Sequence, residues 1–289
     1  MGLEKPSPCK VNLLLNILGK RADGFHELET VMHPINLCDR LSFERTATGV
    51  QLSCSHRDLP TDATNLVHRA ATRFLEAAHL REGVRIHLTK QIPIAAGLGG
   101  GSGNAATTLL GLNELFGRPL SAGQLHSLAA ALGSDVPFFL QPKPALATGR
   151  GETIQELDFF AVLRGKAWLL LHPGFGIATA WAYKELAQFP EALRGHPGRA
   201  QRLVTLLQAG DLAQASSELY NSLEAPAFSK YPILGLYQEF FRERGAIGTL
   251  MSGSGSTTFA IFAEKQNAAT AAETARERFG DVWTAVVEI

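Results

Sequence analysis

Pro93-Ile94-Ala95-Ala96-Gly97-Leu98-Gly99-Gly100-Gly101-Ser102-Gly103-Asn104 lies between two segments of different period. Upstream, Val84, Ile86 and Leu88 alternate as one face of a strand. Downstream, Ala106, Leu109, Leu110 and Leu115 form an apolar helical stripe that begins after Gly103. Glycines at a strand–helix junction let amides approach a ligand with no Cβ in the way. The unpaired N–H groups and dipole of a helix amino terminus favour an anion there. The stretch therefore reads as a phosphate loop rather than a flexible turn. It is not a Walker A loop, because the closing Gly-Lys-Ser/Thr is missing. Gly101-Ser-Gly103-Asn-Ala-Ala106 matches a loosened dinucleotide fingerprint, yet no acidic residue ends a following strand and the loop lies far from an opening βαβ unit.

Working outward, Val11–Leu18 reads as a strand with Val11, Leu13, Leu15 and Ile17 on one face and Lys10, Asn12 and Asn16 on the other. Asn65–Ala78 is helical, and Ser121 with Gln124 forms a capping box for a helix that stops at Gly133. Ala167–Leu171 is a buried strand, helical patterns dominate to about Arg244, a strand–turn–strand surrounds Met251–Phe262, and a last helix spans Ala268–Phe279. Residues 156–166 form the expected junction between an amino-terminal domain, 1–155, and a carboxy-terminal domain, 156–289. Strands and helices mix without a βαβ rhythm, so the expected class is α+β.

Composition narrows the function. With 27 basic and 27 acidic side chains the chain lacks the basic stripe of a dedicated nucleic-acid binder. A 45% hydrophobic content suits a packed core and excludes a disordered protein. No apolar run approaches the roughly 20 residues of a membrane span. Cys9, Cys38 and Cys54 match neither a disulfide ladder nor a CxxC metal site, and the amino terminus carries no signal-like apolar stretch. The expectation is a cytoplasmic protein with no nucleic-acid or membrane partner.

Alone, Lys10 would be a solvated charge at a strand end, and Asp135 in Gly133-Ser-Asp-Val-Pro137 would cap a short turn. Met251-Ser-Gly-Ser-Gly-Ser256 would be an ordinary small-residue turn. Together, Pro8-Cys-Lys10-Val-Asn12, the glycine loop with its Gly-Leu-Gly-Gly-Gly-Ser, and the late Ser-Gly-Ser-Gly resemble the GHMP kinases. Arg21-Ala-Asp-Gly-Phe25-His26 and Gly-x-Asp-Val-Pro-Phe at 133–138 are similar to the branch whose alcohol carries a cytidine diphosphate.

The resemblance implies a two-domain fold: an amino-terminal domain like the second domain of ribosomal protein S5, a ferredoxin-like carboxy-terminal domain, and an active site in the cleft between them. It implies ATP-dependent phosphorylation of the 2-hydroxyl of 4-diphosphocytidyl-2-C-methylerythritol by a monomer or weak homodimer. Asp135 would be the general base with Lys10 beside it, and residues 93–104 would wrap the ATP phosphates. Mg²⁺ would be held largely by ATP and water, with Ser102 available to it or to a phosphate oxygen. Asn12, Phe25, His26, Thr179 and Tyr183 would bind the cytidylyl substrate, Tyr183 fitting the second aromatic position better than Phe175 or Trp181. Ala95 and Ala96 stand where many relatives have glycine, Gly103 where they have serine, and Phe25 where tyrosine is commoner. Two rivals stay open: a GHMP kinase for homoserine or a sugar, and a sensor of the same fold without catalysis.

Overall fold

The computed structural model describes residues 2–141 and 143–289. In chain order the elements are β1 (Leu3–Lys20), β2 (His26–Thr46), β3 (Val50–Cys54), α1 (Leu66–Ala77), β4 (Gly83–Thr89), α2 (Gly100–Leu115), α3 (Ala122–Leu132), β5 (Ala145–Gly149) and β6 (Thr153–Glu156). There follow β7 (Ala167–His172), α4 (Thr179–Glu185), α5 (Pro190–Leu193), α6 (Arg199–Ala209), α7 (Leu212–Ser217), β8 (Tyr220–Asn221), α8 (Glu224–Lys230), α9 (Ile233–Glu243), β9 (Gly248–Met251), β10 (Thr258–Phe262), α10 (Lys265–Phe279) and β11 (Trp283–Glu288). Contacts divide them into two compact units that interleave along the chain. One holds residues 2–9, 37–93 and 99–141; the other holds 10–36, 94–98 and 143–289. The segment between β6 and β7 carries only a 3-10 turn, Ala161–Leu163.

In the first unit, β2 pairs antiparallel with β4 from Arg40↔Thr89 to Thr46↔Gly83, and β3 joins β4 in parallel. Helix α1 buries Val67, Ala70, Ala71, Phe74 and Leu75, the stripe expected from the spacing. Helix α2 is buried on nearly all sides, and a Cβ on Gly111 would come within 2.7 Å of the Phe43 ring, so the glycine lets helix and strand close up. The Ser121–Gln124 capping box forms as expected. The helix stops at Gly133 as expected, in extended backbone.

In the second unit a four-stranded antiparallel sheet has the order β11-β7-β10-β9, reached through strand, helices, two strands, helix and strand. All six residues of β7 are buried. The core joins β7 and β10 to the apolar faces of α9 (Tyr237, Phe240, Phe241) and α10 (Ala268, Ala271, Ala275). The same unit pairs β1 with β8 in parallel at Leu14↔Tyr220, and β2 with β5 and β5 with β6 antiparallel.

Two buried titratable groups of this unit act in opposite senses. Burial beside Trp168 and Phe160 pushes His33 down to about 4, against its bond to Pro34 O. Burial pushes Glu224 up to about 7, opposed by Met251 N–H, Gln238 and Arg242. A histidine held neutral makes the fold lose stability as pH falls from its unfolded value toward about 4. A carboxyl held protonated gives stability that is complete below its unfolded value and is lost as pH rises to about 7. Glu224→Gln removes only the second slope. The stability difference between variant and wild type should therefore grow in the variant's favour between about pH 4.5 and 7, by up to about 1.4 kcal/mol per pH unit and on the order of 2–3 kcal/mol in all. Urea denaturation of both proteins across that range measures it; parallel curves would refute the assignment.

Candidate active site

The front half of the glycine loop, residues 94–98, is gripped by its own unit. Lys10 and Asn12, two apart on β1, point the same way as the alternation requires. Lys10 is only 3% exposed, so it is not the solvated charge of the bland reading. Its Nζ donates to Asn12 Oδ1 (2.5 Å) and Gly97 O (3.4 Å), and its backbone N–H to Leu98 O (2.9 Å). Asn12 Nδ2 donates to Thr30 Oγ1 (2.8 Å), which passes a bond to Leu14 O. The Ser252 hydroxyl accepts from Asn12 N–H (3.3 Å) and donates to Gly97 O (3.0 Å), while Thr257 N–H donates to Ala96 O (3.2 Å).

The carbonyls of residues 96, 97 and 98 are thus all committed to protein donors. In a planar trans peptide the next residue's N–H points opposite the carbonyl. The N–H groups of Gly97, Leu98 and Gly99 therefore face away from those donors, as an anion cradle requires. Gly97 is irreplaceable on two counts: its φ is +77°, and a Cβ would sit 2.0 Å from Ser252 O. Ala95 also has a positive φ, +54°, a left-handed conformation that costs an L-residue roughly 1–2 kcal/mol. A glycine there would carry no such cost. Ala96 is buried and Ile94 exposed.

The back half, Gly99–Asn104, belongs to the first unit with Pro93. Helix α2 starts at Gly100, four residues before the apolar stripe suggested, with Gly99 as a left-handed cap. Gly100, Gly101 and Ser102 thus supply unpaired first-turn N–H groups of a long helix, and Gly103 N–H is the first to close, on Gly99 O (2.9 Å). Packing overrides glycine's poor helix propensity, since a Cβ on Gly103 would lie 2.6 Å from Pro8 O. Asn104, 2% exposed, donates from Nδ2 to Ser7 Oγ and Asp39 Oδ2 (both 2.9 Å). Asp39 in turn pairs with Lys90 Nζ and accepts from Gln91 N–H (2.7 Å) and Ile92 N–H (2.9 Å).

Asp135, half-buried in the first unit, sits in a turn closed by Val136 N–H on Gly133 O (3.1 Å). The cap of the 3-10 turn Pro137–Leu140 is Val136 rather than Asp135. Val136, Pro137, Phe138 and Phe139 are buried and hold the turn rigid.

In the second unit His26 and Tyr183 come together, ring centroids 5.1 Å apart and tilted by 38°. Partial burial, then the charge of Lys20, lowers the His26 pKa, which keeps it a neutral hydrogen-bonding ring near pH 7. Phe25 is 54% exposed and has the Arg150 guanidinium 4.7 Å from its centroid. Thr179 opens α4 with its hydroxyl 3.0 Å from Ser254 Oγ. Phe175 and Trp181 pack instead with Tyr231. The sequence reading missed Thr30, Asp39, Lys90, Arg150, Ser252 and Thr257 as parts of these arrangements. Only the Ser-Gly-Ser-Gly turn left a local trace.

Family models for the GHMP kinases N terminal domain and the GHMP kinases C terminal match residues 65–142 and 201–281. A 4-diphosphocytidyl-2-C-methyl-D-erythritol kinase from Synechococcus sp. (strain JA-3-3Ab) is 43% identical, covering 95% of this chain and 89% of its own. One from Chlorobium phaeobacteroides (strain BS1) is 42% identical, covering 94% and 93%. A crystal structure of 4-(cytidine 5'-diphospho)-2C-methyl-D-erythritol kinase superposes with a TM-score of 0.80 at 35% identity, over 99% of this chain and all of the other. A homoserine kinase from Cytophaga hutchinsonii shares the fold at 20% identity, with a TM-score of 0.77 over 100% and 94% of the two chains. The chain belongs to the 4-diphosphocytidyl-2-C-methyl-D-erythritol kinase family of the GHMP kinases.

Proposed function

We propose that this protein transfers the γ-phosphoryl group of ATP to the 2-hydroxyl of 4-diphosphocytidyl-2-C-methyl-D-erythritol, a step of non-mevalonate isoprenoid synthesis. Near-full-length identity of 43% and 42% to enzymes of that name carries the reading. The inward-turned carbonyls of residues 96–98 and the first turn of α2 support a triphosphate on residues 93–104.

Asp135 takes the hydroxyl proton as the new P–O bond forms and the bond to the β–γ bridging oxygen breaks. Lys10, fixed by Asn12 and Gly97 O, offsets negative charge at the attacking oxygen. Phe25, His26, Tyr183, Thr179 and Asn12 hold the cytidylyl alcohol. Mg²⁺ would be held mainly by phosphate oxygens and water, with the Ser102 hydroxyl available to it or to a phosphate oxygen. When bound, Mg²⁺ would neutralise negative charge on the triphosphate. We take 1–155 and 156–289 as the functional halves; the matched ranges fall on either side of that boundary. The protein acts in the cytoplasm as a monomer or weak homodimer, without nucleic-acid or membrane partners.

A coupled assay of ADP release with the cytidylyl alcohol, homoserine and galactose tests the reaction. Turnover of either of the latter two but not the first would reverse the choice, and no ATP turnover at all would favour a sensor. His26→Ala should raise KM for the cytidylyl alcohol about 10-fold, the worth of one ring contact plus one hydrogen bond, and leave KM for ATP within about 2-fold. Equal rises in both would remove His26 from the substrate site.

A further inference from the structure

Beneath the 252–257 turn lie two side chains that the chemistry above leaves unused. Asn221, at the end of β8 and 2% exposed, donates from Nδ2 to Met251 O and Gly253 O (both 2.7 Å), and its Oδ1 accepts from Leu223 N–H (2.9 Å). Glu224, in the first turn of α8, accepts from Met251 N–H (2.8 Å) and Gln238 Nε2 (2.5 Å) on Oε1. Gln238 is braced in turn by Arg242 (2.8 Å). Both backbone groups of Met251 and the carbonyl of Gly253 are therefore held by side chains from distant elements. The turn fixed in this way reaches the glycine loop through Ser252 Oγ on Gly97 O and Thr257 N–H on Ala96 O.

We propose that Asn221 and Glu224 are positioning residues for the nucleotide loop, setting through the 252–257 turn the tilt of the peptide planes at Ala96 and Gly97. The nucleotide's identity rests on the phosphotransfer reading; the mechanical link does not. Gln238 and Arg242 from α9 and Met251 from β9 are the groups that face the carboxyl. Burial pushes that carboxyl up to about 7. Below this pH it is neutral and holds Met251 N–H much as an amide oxygen would. Above it, the ionised oxygen accepts charge-assisted bonds about twice as strong.

The test compares Glu224→Gln with wild type between about pH 5.5 and 8.5, reading ADP affinity by calorimetry and KM for both substrates. The ratio of ADP dissociation constants, variant over wild type, should be near 1 at the acid end. It should rise to roughly 3–10-fold at the alkaline end, the worth of one strengthened buried hydrogen bond, with KM for the cytidylyl alcohol unmoved. The variant would then be the more stable and yet the weaker nucleotide binder, a divergence that a merely structural role does not produce. Asn221→Ala should weaken ADP binding by roughly 10-fold at every pH; if it fails to fold, the Glu224→Gln titration decides alone. A flat ratio overturns the proposal. If wild type binds ADP but leaves the cytidylyl alcohol untouched, the phosphotransfer reading falls and the positioning role is still decided by the ratio. If wild type binds no ADP, both fall.

Discussion

Asp135→Asn should lower kcat by about 10²–10⁴-fold, the usual worth of a placed proton acceptor. The substitution keeps shape and volume while it removes the carboxylate's charge and basicity and turns one acceptor oxygen into an amide donor. The turn that carries residue 135 is closed by backbone, Val136 N–H on Gly133 O, and anchored by buried Val136, Pro137 and Phe138. The bond that closes the turn is therefore a backbone bond and survives the substitution. ADP affinity should stay within about 2-fold of wild type, because the loop amides proposed to take the phosphates lie on other segments, and a group acting only in the transition state alters kcat rather than ground-state binding. Single-turnover rates with saturating ATP and the cytidylyl alcohol, alongside calorimetry with ADP, read both quantities. Near-normal turnover would end the assignment of Asp135 as base. A parallel loss of ADP affinity would move it into the nucleotide site.

What was legible in the sequence was what short-range geometry encodes. Two-residue alternation was enough to bring Lys10 and Asn12 together, and the capping box was readable because its partners are three residues apart. The glycine loop stood out because no packed helix interior needs so many glycines. Its helix nevertheless begins earlier than the apolar stripe does, since closeness to Pro8 O decides Gly103 and propensity does not. Strand β2 escaped notice because Glu29, Thr30, His33 and Asp39 break its alternation. All four are buried, and Glu29, Thr30 and Asp39 are accommodated by partners from elsewhere: Gly198 and Ala200 N–H on Glu29, Asn12 on Thr30, Lys90 on Asp39. Ser252 and Thr257 meet the loop from about 160 residues away, a distance that periodicity does not span. Position 95 is a different case. The alanine was visible as a departure, but the reason glycine suits that site, a positive φ, is a property of the folded chain.

Asp39→Ala should destabilise the first unit by about 3–5 kcal/mol, the usual cost of leaving one member of a buried ion pair unmatched. Asp39 is fully buried and the Lys90 side chain is 6% exposed. The carboxylate does four things at once: it pairs with Lys90, accepts from the N–H groups of Gln91 and Ile92, and takes the Asn104 amide. Removing it strands a cation and two backbone donors where water has little access. Lys90→Met should cost less, because Asp39 keeps three donors and the methionine chain fills the stem's volume. The double variant should then be less destabilised than the sum of the singles, the Lys90 change relieving part of the Asp39→Ala penalty. Urea denaturation of all four proteins measures the cycle; additive singles, or an Asp39→Ala cost under about 1 kcal/mol, would show the pair to be energetically idle. The same network ties the end of β4 to Asn104 in the second turn of α2, so its loss should also loosen the backbone at Gly100–Gly103. Hydrogen exchange at the first hydrogen-bonded amides of α2, from Gly103 N–H on Gly99 O onward, should accelerate in Asp39→Ala well beyond the acceleration at the far end of the helix, near Leu112. Uniform acceleration along α2 would mean that the ion pair supports the unit as a whole and does not specifically hold the amino-terminal end of the helix.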